Sequence, residues 1–370
     1  MPENNDYEPA PWAAKDTFAS ARATYDTHVG RSYADAVDAG VKASDLLLSK
    51  LTTDVAAPIV IISDETGSMG EWPATIFSKL GYVDHEAEFY FGKGNYAVAF
   101  GAFGDANCNP PELYPVQMRP FAVGSELAPR LKELVIEKKG GGQIKESSEL
   151  AGCYVDQNIE IPNAVRPILI FITDEKAYET VNPDQAKQWC KADLHQRMST
   201  RDLFDSLKSK WAVYVILKPY DATSEGSPET STNKEVRLFW EGLVGKDHVL
   251  PLPDPARVVD VIFGIFGQET GKYEDFVAEL KDRQLKDDGG EKKVKTVLTA
   301  LSPLHRDAGT GAPTLTKDKS LKKLPAPADD GKSVKKLPAP DTKSVTHRAP
   351  GTTTKRSKSL LGDGDDDASK

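Results

Sequence analysis

Cysteine is scarce in this chain of 370 residues: three in all (Cys108, Cys153 and Cys190), with no short spacing between any two. That excludes a disulfide framework or a thiolate zinc site, and buried, idle thiols are the expectation. Long apolar runs are missing as well. No stretch approaches the roughly 18 to 20 residues that cross a bilayer. The opening, MPENNDYEPAPWAAKD, is acidic and proline-bearing, the reverse of a secretory leader. A soluble, cytoplasmic protein with no membrane partner is expected. Positive charge is also in deficit, with a net charge of −9. Residues 303–370 hold 14 Lys and Arg against 9 Asp and Glu, which leaves residues 1–302 at −14. An acidic body repels phosphate backbones, so no nucleic acid is expected on the folded part. Catalytic signatures are lacking too. There is no G-x-x-x-x-G-K-[ST] loop, no G-x-S-x-G elbow and no H-E-x-x-H helix, and the six histidines are scattered.

What is present is alternation. Apolar runs bounded by polar turns fall at 58–62, 97–103, 116–121, 167–173 and 212–218, with a short one at 248–252. Between them lie helical patterns at 73–80, 126–137, 146–157, 183–194, 199–210 and 233–244, and a last helix or pair at 255–285. The runs ILIFIT and AVYVIL are continuously hydrophobic, as strands covered on both faces must be. The fold class expected is α/β: a doubly wound, mostly parallel sheet of about six strands with helices on both faces. The aromatic run Phe89-Tyr90-Phe91 reads as core or sheet edge.

The flanks differ from this body. Residues 1–12 read as disordered, and the Ala-rich stretch 13–51 as a helical extension. The expected α/β domain spans 55–290. Residues 303–370 are rich in Pro, Lys, Asp, Ser and Thr and cannot bury enough surface to offset chain entropy. This tail repeats itself: KSLKKLPAP at 319–327, then KSVKKLPAP at 332–340. Each Leu-Pro-Ala-Pro favours polyproline II, so the repeats read either as a solubilising tail or as docking motifs.

Ligands of doubly wound sheets sit at the carboxyl ends of the strands, where strand order reverses. Two strand ends there share one form. VIISDETGSM passes from apolar residues to Asp64, then Thr66 and Ser68 at alternate positions; ILIFITDE passes to Thr173, Asp174 and Glu175. Two hydroxyls and a carboxylate around one point suit a hard divalent cation, which takes about six oxygen ligands. If the two strands are neighbours, Asp64 and Asp174 face each other, and a cation removes their repulsion. Each part also has a plainer reading: Ser68 as a helix N-cap, Glu65 and Glu175 as solvated acids, Glu146 as a first-turn helix acid, and Asp105 as a cap.

The strand, D-x-T-x-S and a later strand ending in T-D resemble the von Willebrand factor A domain and its metal-ion-dependent adhesion site, over about residues 58–266. The resemblance implies a metal held by Asp64, Thr66, Ser68 and Asp174, with one position open for an acidic residue of a protein partner. The usual threonine of the second loop is absent. Gly140-Gly141-Gly142-Gln143-Ile144-Lys145-Glu146-Ser147 stands there and resembles a bacterial and phage branch of the family. Gln143 is the implied replacement ligand, with Ser147 and Glu146 as rivals and Asp105 as a further acid near the site. Mg2+ is the implied ion, with Mn2+ or Ca2+ as alternatives. Intracellular members of this kind often serve as adaptors of MoxR-type AAA+ ATPases, so the expectation is a binding module and not an enzyme. The alternatives are a phage or bacterial assembly protein that recruits through its KKLPAP tail, and a Mg2+-dependent hydrolase or phosphotransferase. The last needs an acid two residues after the nucleophilic Asp, where this chain has Thr66.

Overall fold

A computed structural model describes residues 31–305, apart from Glu71, Pro111, residues 138–143, residues 223–226 and Asp287. The expectations for residues 1–12, for most of the tail and for Gln143 therefore lie outside the described residues.

Six strands form one sheet: β1 (Ala57–Asp64), β2 (Tyr96–Phe103), β3 (Val116–Met118), β4 (Ile168–Thr173), β5 (Ala212–Leu217) and β6 (Val249–Pro251). Their order is β6-β5-β4-β1-β2-β3, and every pair is parallel except β2 with the edge strand β3. The chain leaves β1 toward β2 and later returns to β4 on the other side, so strand order reverses between β1 and β4. The expected α/β class and all six expected strands are present.

Side-chain alternation divides the core into two layers. Ile59, Ile61, Ile170, Ile172 and Ile216 face helices α1 (Trp72–Leu80), α2 (Val83–Phe91), α8 (Val258–Thr270), α9 (Tyr273–Gln284) and α10 (Gly290–Leu301). Val60, Ile62, Leu169, Phe171 and Val215 face the opposite layer. That layer comprises α4 (Ser148–Asn158), α5 (Pro183–Cys190), α6 (Thr200–Lys210) and α7 (Ser231–Val244). A short α3 (Leu127–Lys132) follows the edge strand. All three cysteines are free and buried.

Three expectations need correction, and one of two readings of Phe89–Phe91 falls. The run ends helix α2, with Tyr90 and Phe91 in the core and not at a sheet edge: Val83, Ala87, Tyr90 and Phe91 recur at helical spacing and are buried, with Phe91 edge-on to Phe266. The folded body extends past residue 290, because Val294, Val297, Ala300 and Leu301 of α10 pack on the core and Pro303 is buried. Within the described part of the expected helical extension, helices are short (Tyr33–Asp38 and Ala43–Leu46). They are flanked by two-residue strands that pair with Val135–Ile136 and with Ile159–Glu160. Glu65 and Glu175 are not solvated but buried. Among the described residues no helix is long and apolar enough to cross a membrane.

Candidate metal centre

Three strand ends converge at the reversal point. Ser63 of β1 pairs with Ile172 of β4, which sets Asp64 beside Thr173. Leu217 of β5 pairs with Thr173, and the Lys218 amide donates to the Thr173 carbonyl at 2.9 Å, so Lys218 stands level with Asp174. Backbone ladders thus fix the positions of Asp64, Asp174 and Lys218 before any side chain is considered.

The side chains then link into a continuous row of oxygens. Asp64 Oδ1 accepts from the Thr66 amide at 2.9 Å and from Thr66 Oγ1 at 2.7 Å. Thr66 Oγ1 lies 3.1 Å from Ser68 Oγ, which donates to Asp174 Oδ1 at 3.0 Å. Thr173 Oγ1 donates to Asp64 Oδ2 at 2.9 Å, and Lys218 Nζ donates to Asp174 Oδ2 at 2.6 Å. Asp64, Thr66 and Asp174 are fully buried, while Ser68 is half-buried and gives the row its contact with solvent. Ser68 is therefore not a helix cap. The turn Gly67–Met69 precedes α1, and the Ser68 hydroxyl points across the sheet edge.

Does this donor set suit a cation? An octahedral ion with ligands at about 2.0–2.1 Å has oxygen–oxygen edges of about 2.9 Å. The steps along the row, 2.7, 3.1 and 3.0 Å, match that edge. Among the described residues no three His, Cys, Asp or Glu side chains group to hold a metal by themselves. A cation here would need the hydroxyls of Thr66 and Ser68 as donors; with them the residues would suit a small, hard divalent ion.

Electrostatics point the same way. Burial pushes the Asp64 carboxyl up to about 7, and the charge of Asp174 adds to the rise. Asp174 is raised by burial too, but the Lys218 ammonium pulls it back. Glu175 is pushed up to about 8 by burial and by the charges of Asp174 and Asp64. Glu146 rises to about 12 through burial and the proximity of Asp64. Its place is a bridge pairing with Ala177, ahead of α4, and not the first helical turn.

A second acid group lies behind Asp64. Glu65 extends the β1–β2 ladder through its amide to the Phe103 carbonyl, and its Oε1 accepts from Gln117 Nε2 at 2.6 Å. Glu112 accepts from the Asp105 amide at 2.5 Å, an approach that only a glycine at 104 allows: a Cβ there would lie 1.7 Å from Glu112 Oε2. Burial pushes Glu112 up to about 8 and Glu65 well above its ordinary range. Glu65 Oε2, Asp105 Oδ2, Glu112 Oε1, Glu146 Oε2 and Glu175 Oε2 are all buried without a hydrogen-bond partner.

The candidate ligands therefore separate. Asp64, Thr66, Ser68 and Asp174 come together, and Glu146 is near enough to Asp64 to feel its charge. Ser147 and Asp105 instead bond to each other's neighbourhood. Asp105 Oδ1 accepts from the Asn107 amide, Tyr178 Oη and, at 3.5 Å, Ser147 Oγ, while Ser147 Oγ accepts from the Ala106 amide. Gln143 lies outside the described residues. Sequence reasoning missed Thr173 and Lys218 as site residues. The signal was there in each: a polar residue ending a fully apolar strand at the same edge.

No protein-family model and no curated protein matches the sequence. Solved structures with related backbones include the pilus adhesin SpaC from Lactobacillus rhamnosus GG, at TM-score 0.40 and 9% identity. That match covers 60% of this chain and 32% of the adhesin. Proximal thread matrix protein 1 from the mussel byssus has TM-score 0.38 and 15% identity, over 58% of this chain and 47% of that one. The chain thus spans less than half the length of either protein. At such TM-scores neither likeness bears on function.

Proposed function

We propose that the chain is a von Willebrand factor A-type binding module whose sheet edge holds a divalent cation and offers it to an acidic residue of a protein partner. The observation that carries the reading is the unbroken oxygen row from Asp64 through Thr66 and Ser68 to Asp174, spaced like the edge of a magnesium octahedron. Mg2+ suits it best; Mn2+ and Ca2+ are the alternatives.

The residues divide the work. Asp64 and Asp174 supply charge, and Thr66 and Ser68 supply neutral oxygens, so a bound ion keeps Lewis acidity for a partner's carboxylate. Thr173 and the Thr66 amide hold Asp64 in orientation. Ser68, at the solvent side, marks where the partner's carboxylate arrives. Such a module acts by binding and not by catalysis, since Thr66 stands where a phosphotransferase would need its second acid. A cytoplasmic AAA+ ATPase of the MoxR type is the partner class that the family resemblance suggests.

Thermal unfolding in rising MgCl2 or MnCl2 tests the reading. An ion bound only by the folded form stabilises by about 2.7 kcal/mol at 100 times its dissociation constant. Wild type is expected to show a saturable rise in Tm that Asp64→Ala abolishes. No rise in wild type, or an equal rise in Asp64→Ala, rejects it.

A further inference from the structure

Lys218 is the basic residue described at this edge that reaches the oxygen row, and the binding reading leaves it without a task. It is the first residue beyond β5, its amide continues the ladder to Thr173, and its side chain crosses the mouth of the oxygen row. Nζ donates to Asp174 Oδ2 at 2.6 Å, to the Ser68 carbonyl at 3.1 Å and to the Pro219 carbonyl at 3.4 Å. The ammonium thus contacts two of the residues that would surround the ion. The side chain is only 14% exposed and Asp174 not at all, so water screens the pair weakly.

The other lysines nearby behave differently. Lys145 and Lys176 turn outward to Glu179 and Glu235, two acids that are well exposed. With Asp64, Glu146, Asp174 and Glu175 all buried at one edge, the charge cost of this corner falls on Lys218.

We propose that Lys218 is a tethered cation that stands in for the divalent ion in the metal-free protein, and that the ion binds by displacing its ammonium from Asp174. The inference rests on the metal-binding reading. It says how that site is regulated: affinity is held down by a competitor built into the chain. An adjacent opposite charge commonly shifts a carboxylate equilibrium by one to three powers of ten. Removing it should strengthen Mg2+ binding on the same scale.

The test is Mg2+ titration calorimetry on the full chain, together with Tm in EDTA. Lys218→Met should bind Mg2+ at least about tenfold more tightly than wild type, and its Tm without metal should fall below wild type. Lys218→Arg, which keeps the cation, should stay close to wild type in both. Lys176→Gln removes a nearby charge that pairs with the exposed Glu235 and not with the oxygen row, and should change affinity by less than about twofold. Should Lys218→Met fail to fold without metal, folding it in MgCl2 and competing the ion away with a calibrated chelator still gives its affinity. Equal Mg2+ affinity in wild type and Lys218→Met overturns the role of Lys218 while leaving the metal site intact. An equal gain from Lys176→Gln also overturns it, because general charge would then suffice. No heat of binding in wild type or in any variant rejects the metal site itself.

Discussion

Strands β1 and β4 run through apolar surroundings and then, within one residue, end among buried acids. In their interiors Ile61, Ile62, Ile170 and Phe171 belong to the two hydrophobic layers and are wholly buried. At their carboxyl edge Asp64, Glu65, Asp174 and Glu175 are buried almost as completely. Burial stabilises the first set and penalises the second. The interior therefore holds the fold together, and the edge is kept in place by strand ladders, hydroxyls and one lysine against its own electrostatic cost. Such an arrangement makes sense where a ligand later offsets that cost.

Breaking the interior should have the largest effect. Phe171 packs against Phe204 and Trp240 with ring centroids 5.6 and 6.2 Å away. Phe171→Ala should lose about 3–5 kcal/mol in urea unfolding, with or without Mg2+.

The edge should show itself next, through pH. Asp64, Glu112 and Glu175 have folded values raised to about 7, 8 and 8, above those of the unfolded chain. The folded form therefore holds protons that the unfolded form has released. The contribution of these groups to stability in EDTA should be full below about pH 4 and decline as pH rises from there through about 8. Saturating Mg2+ should flatten the decline, because the ion favours the ionised form. Stability in EDTA that rises over this window contradicts the contrast drawn here.

Asp64→Asn isolates one acid. It keeps the Oδ1 acceptor for Thr66 but carries no charge, so the metal-free protein should gain about 1–3 kcal/mol at pH 8.5, less at pH 5 and almost nothing below about pH 4. The same variant should lose its response to Mg2+. The smallest effect belongs to the surface: the Lys176–Glu235 pair is open to solvent on its acidic side, and Lys176→Gln should cost less than about 0.5 kcal/mol.

The same contrast explains what could be read from the chain. Strands covered on both faces announce themselves as unbroken runs such as ILIFIT, and their polar endings placed Asp64 and Asp174 at one edge. Helix α2 was harder, because Phe89-Tyr90-Phe91 carries strand propensity that the helical spacing of Val83, Ala87 and Tyr90 overrides. Helix α10 begins in GEKKVK and blends with the lysine-rich tail, so its narrow apolar face shows only against α8 and α9. The burial of Glu65 depends on Gln117, and that of Glu112 on the gap at Gly104, contacts made by distant parts of the chain. Lys218 needed the register of β5 on β4 to bring it to Asp174. Acids and lysines are normally solvated, and nothing local marks the few that are not.

If the row from Asp64 to Asp174 is an ion site, Mn2+ reports on it directly. Electron paramagnetic resonance of Mn2+ titrated into the full chain should show one bound ion per chain, displaced by Mg2+ and lost in both Asp64→Ala and Asp174→Ala. Free Mn2+ signal throughout the titration, or unchanged binding in either variant, would contradict the account.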